Sequence, residues 1–405
     1  MSEQGHGGQA VSGALKALGV SKVFTLSGGH IFPIFDGCVK DGIDLVDVRH
    51  EQNAVFAAEA WARLKRELGV AAVTAGPGVT NAMSPMAQAA FNNAPVLVLG
   101  GRAPMFRWGQ GSLQEMDHVP FVDPIAPAKT VTATEEVAGD VIAAALAALT
   151  PPTGPRFLDF PLDVLFNQAD IEIPTPEQHD FEIDAASREA VATVAKLIAE
   201  AERPVIIAGS GVWIERGEDA LRVLAERAGV PVYMNGQGRG CLAADHPLAF
   251  SRSRGKAMGN ADLVIVVGTP LDFRLGFGQN FAFGAGIVHI DSKGPAEHVQ
   301  LAAGIRAPAG VALAAIEDAF EGKPQADDWI EMLRREEDKK VAKAAEELRS
   351  DARPIHPMRV YGELVPLLDR NAIVIGDGGD FVSYAGKEVP SFEPGCWLDP
   401  GPFGC

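Results

Sequence analysis

The sequence predicts an α/β fold with two complete parallel-sheet domains and the beginning of a third. Short, almost continuous apolar runs alternate with longer helical stretches, which is typical of parallel strands that helices cover on both faces. The alternation stops at "FNQADIEIPTPEQHDFEID", a segment rich in proline, glutamine and acids that we interpret as a linker, and then starts again. The length of 405 residues also exceeds that of one ordinary domain, which is about 150 residues.

The first domain is predicted over residues 1–170. Its strand candidates are "KVFTLS", "DLVDV", "VAAVTAG", "PVLVLGG" and "RFLDFP". Consecutive candidates are separated by enough residues for a crossover helix, as a parallel sheet requires.

The second domain, a Rossmann-like unit, is predicted over residues 185–320. It contains the helices "SREAVATVAKLIAEA" and "GEDALRVLAERAG" and the strands "PVIIAG", "PVYMN", "ADLVIVVG" and "GIVHID". Residues 321–354 follow as a helical linker, because "WIEMLRREEDKKVAKAAEELRS" has the charge density of a solvated connector helix.

A third pattern occupies residues 355–405, with the helix "IHPMRVYGELVPLLD" and the strand "AIVIGD". One helix, one strand and a loop cannot bury a core of their own. We therefore expect an incomplete third domain, in a chain that is truncated at its C-terminus.

Composition and charge favour a soluble protein that binds small molecules. Hydrophobic residues make up 47% of the sequence and charged residues 22%, the mixture of a globular protein with a substantial core. The formal net charge of −18 argues against nucleic acid or an anionic membrane as the main partner. The four cysteines lack a CxxC spacing, and no signal peptide or membrane-spanning run is evident, so we expect a cytoplasmic protein.

Three loops of the first domain are candidates for a ligand site, because open parallel sheets bind ligands beyond the carboxyl ends of their strands. Gly28 and Gly29 follow the first predicted strand, Glu51 follows the second, and Pro77 follows the third. A carboxylate at a helix start can simply favour the helix dipole, and a glycine can serve a tight turn. Three such loops at one edge nevertheless predict a site.

Other glycine-rich or polar segments are less informative. Thr80 and Asn81 open a helix after Pro77, and either side chain can cap that helix. No segment has the GxxxxGK[ST] pattern of a P-loop, and "GSGVWI" and "GQGRGC" only partly match GxGxxG. The sequence pattern alone therefore does not predict a dinucleotide site.

The segments "RHEQNAVFAAEAWAR" and "GVAAVTAGPGVTNAMSPMAQAAFNNAPVLVLGG" resemble the pyrimidine-binding domain of thiamine-diphosphate enzymes. The resemblance is to the acetolactate synthase group, which includes oxalyl-CoA decarboxylase and 2-hydroxyacyl-CoA lyase. It extends over essentially the whole chain, through "GSLQEMDHVPF", "GPRFLDFPLDV", "ADLVIVVGTPLDFRLGFG", "IVHIDS" and "GCWLDPGPFG".

The resemblance implies roles for residues of the first domain. The carboxylate of Glu51 hydrogen-bonds a pyrimidine nitrogen and favours the imino tautomer, whose nitrogen takes the proton from the thiazolium carbon. Pro77 and its adjoining glycines form the wall against the pyrimidine ring, with Thr74 and Asn81 nearby. Gln114 reaches the reacting end of the cofactor from the partner subunit. Leu113, beside it, stands where a phenylalanine is frequent.

The resemblance also implies contacts in the later domains. Gly379, Asp380 and Phe381 would approach the diphosphate in the loop "GDGGDFVSYAG", which we place on the first strand of the third domain. The ligands of Mg²⁺ belong to a GDG motif with downstream asparagines, and we expect them in a segment outside this chain. Arg274 and Asp291 match positions that contact a nucleotide, FAD or ADP, in the middle domain.

The segment "LAFSRSRGKAM" stands where family members with FAD face the flavin ring, and it departs from the acetolactate synthase pattern. Arg252 and Arg254 in this segment have two interpretations, contact with a phosphate or contact with a solvated acid. The two interpretations remain open at this point.

The expected activity is thiamine-diphosphate-dependent decarboxylation and carboligation of a 2-keto acid, converting two pyruvate molecules to acetolactate and CO₂. A 2-hydroxyacyl-CoA lyase or oxalyl-CoA decarboxylase activity is the alternative, because "WLDPGPFG" resembles those members. An alternative of another class is a truncated, non-catalytic binding protein. The 405-residue chain by itself is expected to be inactive, and a homodimer or homotetramer formed through the first domain is expected.

Overall fold

The computed structural model describes residues 3–177, 181–323 and 327–404. The chain divides into two compact units, Met1–Asp180 with Gly401–Cys405, and Phe181–Pro400. Part of the predicted linker, residues 178–180, and the last cysteine, Cys405, lie outside the described residues.

The strands of the first unit form one six-stranded sheet and one separate pair. They are β1 (Glu3–His6), β2 (Lys22–Thr25), β3 (Asp44–Asp47), β4 (Gly69–Val73), β5 (Val96–Arg102), β6 (Ala128–Thr130), β7 (Arg156–Pro161) and β8 (Gln168–Ile171). The large sheet is parallel throughout, in the order β3-β2-β4-β5-β7-β6, while β1 pairs antiparallel with β8.

Helices cover both faces of this sheet. They are α1 (Gly7–Ala17), α2 (Phe32–Asp41), α3 (Glu51–Lys65), α4 (Pro77–Asn81), α5 (Met83–Phe91), α6 (Val119–Val122), α7 (Val137–Leu149) and α8 (Leu162–Phe166). Strand β4 shows why the apolar runs are continuous: Val70 and Ala72 belong to the core on one face, Ala71 and Val73 to the core on the other.

The five strand candidates of the first domain are confirmed as β2, β3, β4, β5 and β7. The prediction missed β6, a three-residue edge strand that is partly exposed and has no apolar run. It also assigned the β8 residues to the linker, although they pair with β1, because "QADI" alternates exposed and half-buried positions.

The second unit contains another six-stranded parallel sheet, which confirms the predicted Rossmann-like domain. Its strands are β9 (Pro204–Ala208), β10 (Val232–Met234), β11 (Ala249–Phe250), β12 (Leu263–Val267), β13 (Gly286–Ile290) and β14 (Ala303–Ile305). They follow the order β11-β10-β9-β12-β13-β14, so the winding direction reverses between β9 and β12.

The helices of the second unit include the predicted charged one. They are α9 (Ala185–Glu200), α10 (Ser210–Ile214), α11 (Glu218–Ala228), α12 (Arg254–Met258), α13 (Ala309–Ala319), α14 (Asp327–Glu347), α15 (Pro357–Leu364) and α16 (Gly379–Glu388). Helix α14 is not a solvated connector, because Trp329 and Leu333 are buried and the Trp329 indole donates to the Pro204 carbonyl, 3.1 Å away. Its spacing of four residues places both side chains on one apolar stripe.

The third pattern forms a small parallel pair, β15 (Val374–Ile375) with β16 (Trp397–Leu398). Tyr361 and Trp397 belong to its small buried cluster. The loop "GDGGD" does not lie on a strand, contrary to the prediction: β15 ends at Ile375, and α16 begins at Gly379. Among the described residues, no helix is both long enough and apolar enough to cross a membrane.

Candidate active site

The loops after β2 and β4 pack directly against each other at the carboxyl edge of the first sheet. A Cβ atom added to Gly28 would lie 2.3 Å from the Thr74 Cβ, so only glycine permits this approach. The Thr74 hydroxyl lies 3.1 Å from the Nδ1 atom of His30. Gly29 opens the turn that carries His30, and an added Cβ there would meet open space.

Glu51 joins the loop after β3 to the same region. It is the first residue of α3 and is 9% exposed, while His50 precedes it as the N-cap and accepts the Gln52 amide at 3.2 Å. The Glu51 Oε2 atom accepts a hydrogen bond from the Asn81 side chain at 3.0 Å. The predicted site residues of three loops are therefore brought together in one unit.

The loop after β4 turns sharply before α4. Gly76, at φ +61°, is the N-cap position, and Pro77 is the first helical residue, with an exposed ring. The prediction that Thr80 or Asn81 caps this helix is wrong, because both lie at its end. The Thr80 hydroxyl donates to the Pro77 carbonyl at 3.3 Å, and the Asn81 amide donates to Glu51.

Gln114 lies against this turn, in the same unit as Glu51. A Cβ atom added to Gly76 would be 3.0 Å from the Gln114 Cβ. Gln114 has a φ of +56°, which few residues other than glycine adopt, so its surroundings hold its backbone in place. The neighbouring Leu113 side chain is 77% exposed.

A buried polar chain that the prediction missed supports the turn. The fully buried His118 accepts the Gly76 amide at its Nε2 atom, at 2.9 Å, and its Nδ1 atom lies 2.9 Å from an oxygen of the equally buried Asp159. The sequence carried one signal: Asp159 is a carboxylate in the middle of an otherwise apolar strand, "RFLDFP".

Arg102 neutralises Asp159. Its guanidinium donates to the second Asp159 oxygen at 2.6 Å and to Asp117 at 2.9 Å. Burial lowers the pKa of Arg102, but the hydrogen bonds to these two carboxylates outweigh burial and leave the pKa raised. The guanidinium also stacks over the Trp108 ring, 4.0 Å from its centre. The Asp159 charge is thus paired and hydrogen-bonded on both oxygens, as a buried carboxylate must be.

His30 was also missed. Burial lowers its pKa, because the cation is poorly solvated there, and a hydrogen bond to the Leu113 backbone opposes the shift. His30 is therefore a neutral imidazole at physiological pH.

In the second unit, Arg274 and Asp291 follow the neighbouring strands β12 and β13, so both lie at the carboxyl edge of the second sheet. The Arg274 guanidinium pairs with Asp272 at 2.7 Å. Asp291 is 9% exposed and accepts the Lys293 amide at 2.9 Å.

The glycine-rich loop "GSGVWI" lies at the reversal point of the second sheet. A Cβ atom added to Gly211 would be 2.7 Å from the Gly268 Cα, and one added to Gly209 would be 2.5 Å from the Gly268 carbonyl oxygen. Close packing of two loops therefore accounts for these glycines.

Glu215 lies beside Asp291 in the second unit. Burial raises its pKa to about 7, hydrogen bonds from Ser292 and the Ala309 amide oppose this, and Asp291 adds to it. The Ala309 amide donates to Glu215 at 2.7 Å.

The two arginines of "LAFSRSRGKAM" contact polar side chains of the second unit. Arg252 forms an ion pair with Glu388, whose side chain is 4% exposed. Arg254 donates to the Asn235 side chain. Of the two interpretations left open, Arg252 fits contact with an acid, although that acid is buried and not solvated.

The residues predicted to approach a diphosphate lie at the start of α16. Gly379 is its first residue and Asp380 is exposed. The Phe381 ring is half-exposed, 5.1 Å from the Tyr361 ring, and the Tyr361 hydroxyl donates to the Phe381 carbonyl at 2.8 Å. Within residues 3–177, 181–323 and 327–404, no group of three or more His, Cys, Asp or Glu side chains could hold a metal ion.

Comparisons with known proteins find similarity over nearly the whole chain. A family model described as "Thiamine pyrophosphate enzyme, N-terminal TPP binding domain" matches residues 5–121, and one described as "Thiamine pyrophosphate enzyme, central domain" matches residues 191–316. The chain is 47% identical to the acetolactate synthase large subunit IlvG of Mycobacterium tuberculosis, with 99% of this chain and 74% of that protein covered. It is 32% identical to human 2-hydroxyacyl-CoA lyase 2, with 98% and 70% covered.

Proposed function

The chain belongs to the family of thiamine-pyrophosphate-dependent enzymes, and we propose that it decarboxylates a 2-keto acid and joins the product to a second 2-keto acid. With pyruvate as both substrates, the products are acetolactate and CO₂. The 47% identity to an acetolactate synthase large subunit supports this reaction. The structural observation that carries the proposal is the Glu51 carboxylate, held by Asn81 at the start of α3.

The first unit fits the aminopyrimidine half of thiamine diphosphate. Gly28 lets the loops after β2 and β4 pack together, Gly29 leaves open space where a side chain would lie, and the exposed Pro77 ring offers a flat apolar wall. Glu51 supplies a carboxyl group, which can share a proton with a ring nitrogen. When bound, thiamine diphosphate supplies a nucleophilic carbon and an electron sink for the decarboxylation.

Glu51 is proposed to hold or share a proton with the pyrimidine ring nitrogen. Its low exposure keeps bulk water away, so that the proton stays between the carboxyl oxygen and the ring nitrogen. The Asn81 amide is proposed to orient the carboxylate by donating to Oε2, and Gln114 to contact the substrate at the reacting end.

The alternative reaction is the cleavage or decarboxylation of an acyl-CoA, as in a 2-hydroxyacyl-CoA lyase. The identity of 32% to the human lyase, over 98% of this chain, favours it as second candidate. Leu113 beside Gln114 is proposed to contribute to substrate preference, because its exposed apolar side chain stands next to the reacting end.

Mg²⁺ and a nucleotide are proposed as further ligands. For Mg²⁺, the described residues offer no group of three or more His, Cys, Asp or Glu side chains that could hold the ion, so no step proposed here depends on it. An adenine nucleotide, FAD or ADP, is proposed at Arg274 and Asp291, which share the sheet edge where α/β domains bind nucleotides. Gly379, Asp380 and Phe381 are proposed to approach the diphosphate at the start of α16. We also propose a cytoplasmic homodimer or homotetramer.

An activity assay with each candidate substrate in turn tests the proposed reaction. The protein is incubated with thiamine diphosphate and Mg²⁺ and given either pyruvate or a 2-hydroxyacyl-CoA. Release of CO₂ with formation of acetolactate supports the first reaction, and release of an aldehyde and formyl-CoA supports the second. No turnover of either substrate by a cofactor-bound enzyme would contradict both.

A further inference from the structure

We propose that His118 is a positioning residue, which fixes the Gly76–Pro77 turn so that the pyrimidine wall and the Glu51–Asn81 pair face one ligand. This inference rests on the proposed function for its purpose, because it specifies how the cofactor-binding turn is held. His118 itself does not touch the cofactor or the reacting atoms in this account.

The hydrogen-bond geometry defines the state of the imidazole. The Gly76 amide can only donate, so the His118 Nε2 atom, 2.9 Å away, must accept and carry no proton. The proton of a neutral imidazole then lies on Nδ1, which donates to Asp159 at 2.9 Å. Both ring nitrogens are thus engaged, and the ring has no exposed surface.

Asp159 and Arg102 hold this tautomer in place. The Asp159 side chain is fully buried, with one oxygen on His118 and the other on Arg102 at 2.6 Å. The carboxylate can accept but not donate, so a ring flip that placed an unprotonated nitrogen toward it would lose the bond. Strands β5 and β7, which carry Arg102 and Asp159, are paired, and this makes the support rigid.

The turn depends on this support because its backbone is unusual. Gly76 has φ +61° and ψ −112°, and Pro77 after it has no amide hydrogen to anchor the turn. The bond to His118 fixes the plane of the Ala75–Gly76 peptide, directly before the residue that leads into Pro77. Helix α4 begins at Pro77, the proposed wall against the pyrimidine ring, and ends at Asn81, which donates to Glu51. A tilt of the turn therefore moves both the Pro77 ring and the Glu51 carboxylate.

The test compares three variants with the wild-type holoenzyme. His118→Leu removes the acceptor and puts an apolar side chain of similar size in its place. His118→Gln keeps an acceptor and a donor. Thr134→Val is the matched control, because it removes one buried hydrogen bond, from Thr134 to the Val164 carbonyl at 3.0 Å, in the same unit. The readouts are the affinity for thiamine diphosphate, hydrogen exchange at the Gly76 amide without cofactor, and the free energy of unfolding.

We expect His118→Leu to weaken cofactor affinity about tenfold and kcat by roughly 10- to 100-fold, as a displacement near 1 Å can do. The Gly76 amide should lose protection, His118→Gln should recover most of both losses, and Thr134→Val should lose stability alone. Wild-type affinity and Gly76 protection in His118→Leu would overturn the proposal, as would equal losses in the Gln and Leu variants. If His118→Leu does not fold, His118→Ala, which also removes the acceptor, takes its place, with the same expected losses and the same overturning results.

The proposed function and this inference fail in different ways. If the wild-type protein does not bind thiamine diphosphate, the proposed function is refuted. Hydrogen exchange at the Gly76 amide still tests the role of His118 in that case, because it is measured without cofactor. A wild type that binds the cofactor, together with an unaffected His118→Leu variant, refutes only the role of His118.

Discussion

The Asn81 side chain donates a 3.0 Å hydrogen bond to the Glu51 carboxylate across 30 residues of sequence. The bond links the end of α4 to the start of α3, so two loops at one sheet edge share a single polar contact. A carboxylate that only capped its helix would need no such partner from another loop. The contact therefore favours a site over a purely local helix start.

Asn81→Ala is expected to lower kcat while leaving the fold intact. Without its donor, the carboxylate can rotate away from the pyrimidine nitrogen, and a loss of roughly 10- to 100-fold is typical of misplaced catalytic groups. Steady-state kinetics of the holoenzyme measure this loss. Thr80→Ala on the same helix is the control, since its hydroxyl donates to the Pro77 carbonyl of that helix. Equal activity of wild type and Asn81→Ala would mean that Glu51 needs no orienting partner.

Glu59→Gln is expected to destabilise the first unit strongly. Glu59 and Arg63 are 2% and 5% exposed and form a 3.2 Å ion pair within α3. Glu59→Gln removes one charge of this buried pair and weakens the hydrogen bonds that Gln88 and Asn92 donate to the carboxylate, at a cost of about 1–3 kcal/mol. Chemical denaturation measures the change, and Glu67→Gln, an exposed position after the same helix, should change little. A loss below about 1 kcal/mol would show that the pair is already solvated.

Glu215 predicts a dependence of stability on pH in the second unit. Its folded pKa of about 7 lies above the ordinary value for a glutamate, so the folded state holds the proton more tightly. The stabilisation is present below about pH 4.5 and is lost as the pH rises through 7, and linkage bounds it at roughly 3 kcal/mol. Glu215→Gln, which stays neutral, should therefore unfold at higher denaturant concentration than wild type at pH 8. The two proteins should differ little at pH 5, and an equal difference at both pH values would contradict the assignment.

His30 predicts the opposite dependence in the first unit. Its folded pKa is lowered, so the unfolded state binds the proton more readily. Stability is full above the unfolded value of about 6.5 and falls as the pH drops below it. Denaturation of wild type and His30→Gln between pH 5 and 8 measures this, and the Gln variant should show a smaller loss on acidification. Identical dependences of stability on pH in the two proteins would show that the pKa of His30 does not differ between the folded and unfolded states.

Sequence patterns could predict the sheets because buried parallel strands need apolar residues on both faces. Alternate residues of β4 and β5 enter opposite cores, which is why "VAAV" and "VLVL" read as continuous apolar runs. The short edge strand β6 has no such requirement and left no pattern. Helix α14 was predicted to be a solvated connector because its many charged residues hide the apolar stripe that contains the buried Trp329 and Leu333.

The site could be predicted only in part, for a related reason. The loops at Gly28, Glu51 and Pro77 follow successive strands, so the sheet rule alone brings them to one edge. The polar chain behind Gly76 joins residues that are 42 and 41 positions apart, and no local pattern encodes those distances. The contact between His118 and Asp159 joins the segment after β5 to strand β7 and depends on the tertiary fold.

Proton exchange at the thiazolium carbon of bound thiamine diphosphate tests the role of Glu51 most directly. The measurement follows deuterium incorporation by NMR in the wild-type holoenzyme and in Glu51→Gln, with the cofactor saturating and no substrate present. The amide keeps the size and hydrogen-bonding capacity of the carboxylate but cannot share a proton with the ring nitrogen. We expect exchange to slow by roughly 10²- to 10⁴-fold, as general acid–base assistance is lost, while the free energy of unfolding is retained. An unchanged exchange rate in Glu51→Gln would show that Glu51 takes no part in the proton transfer.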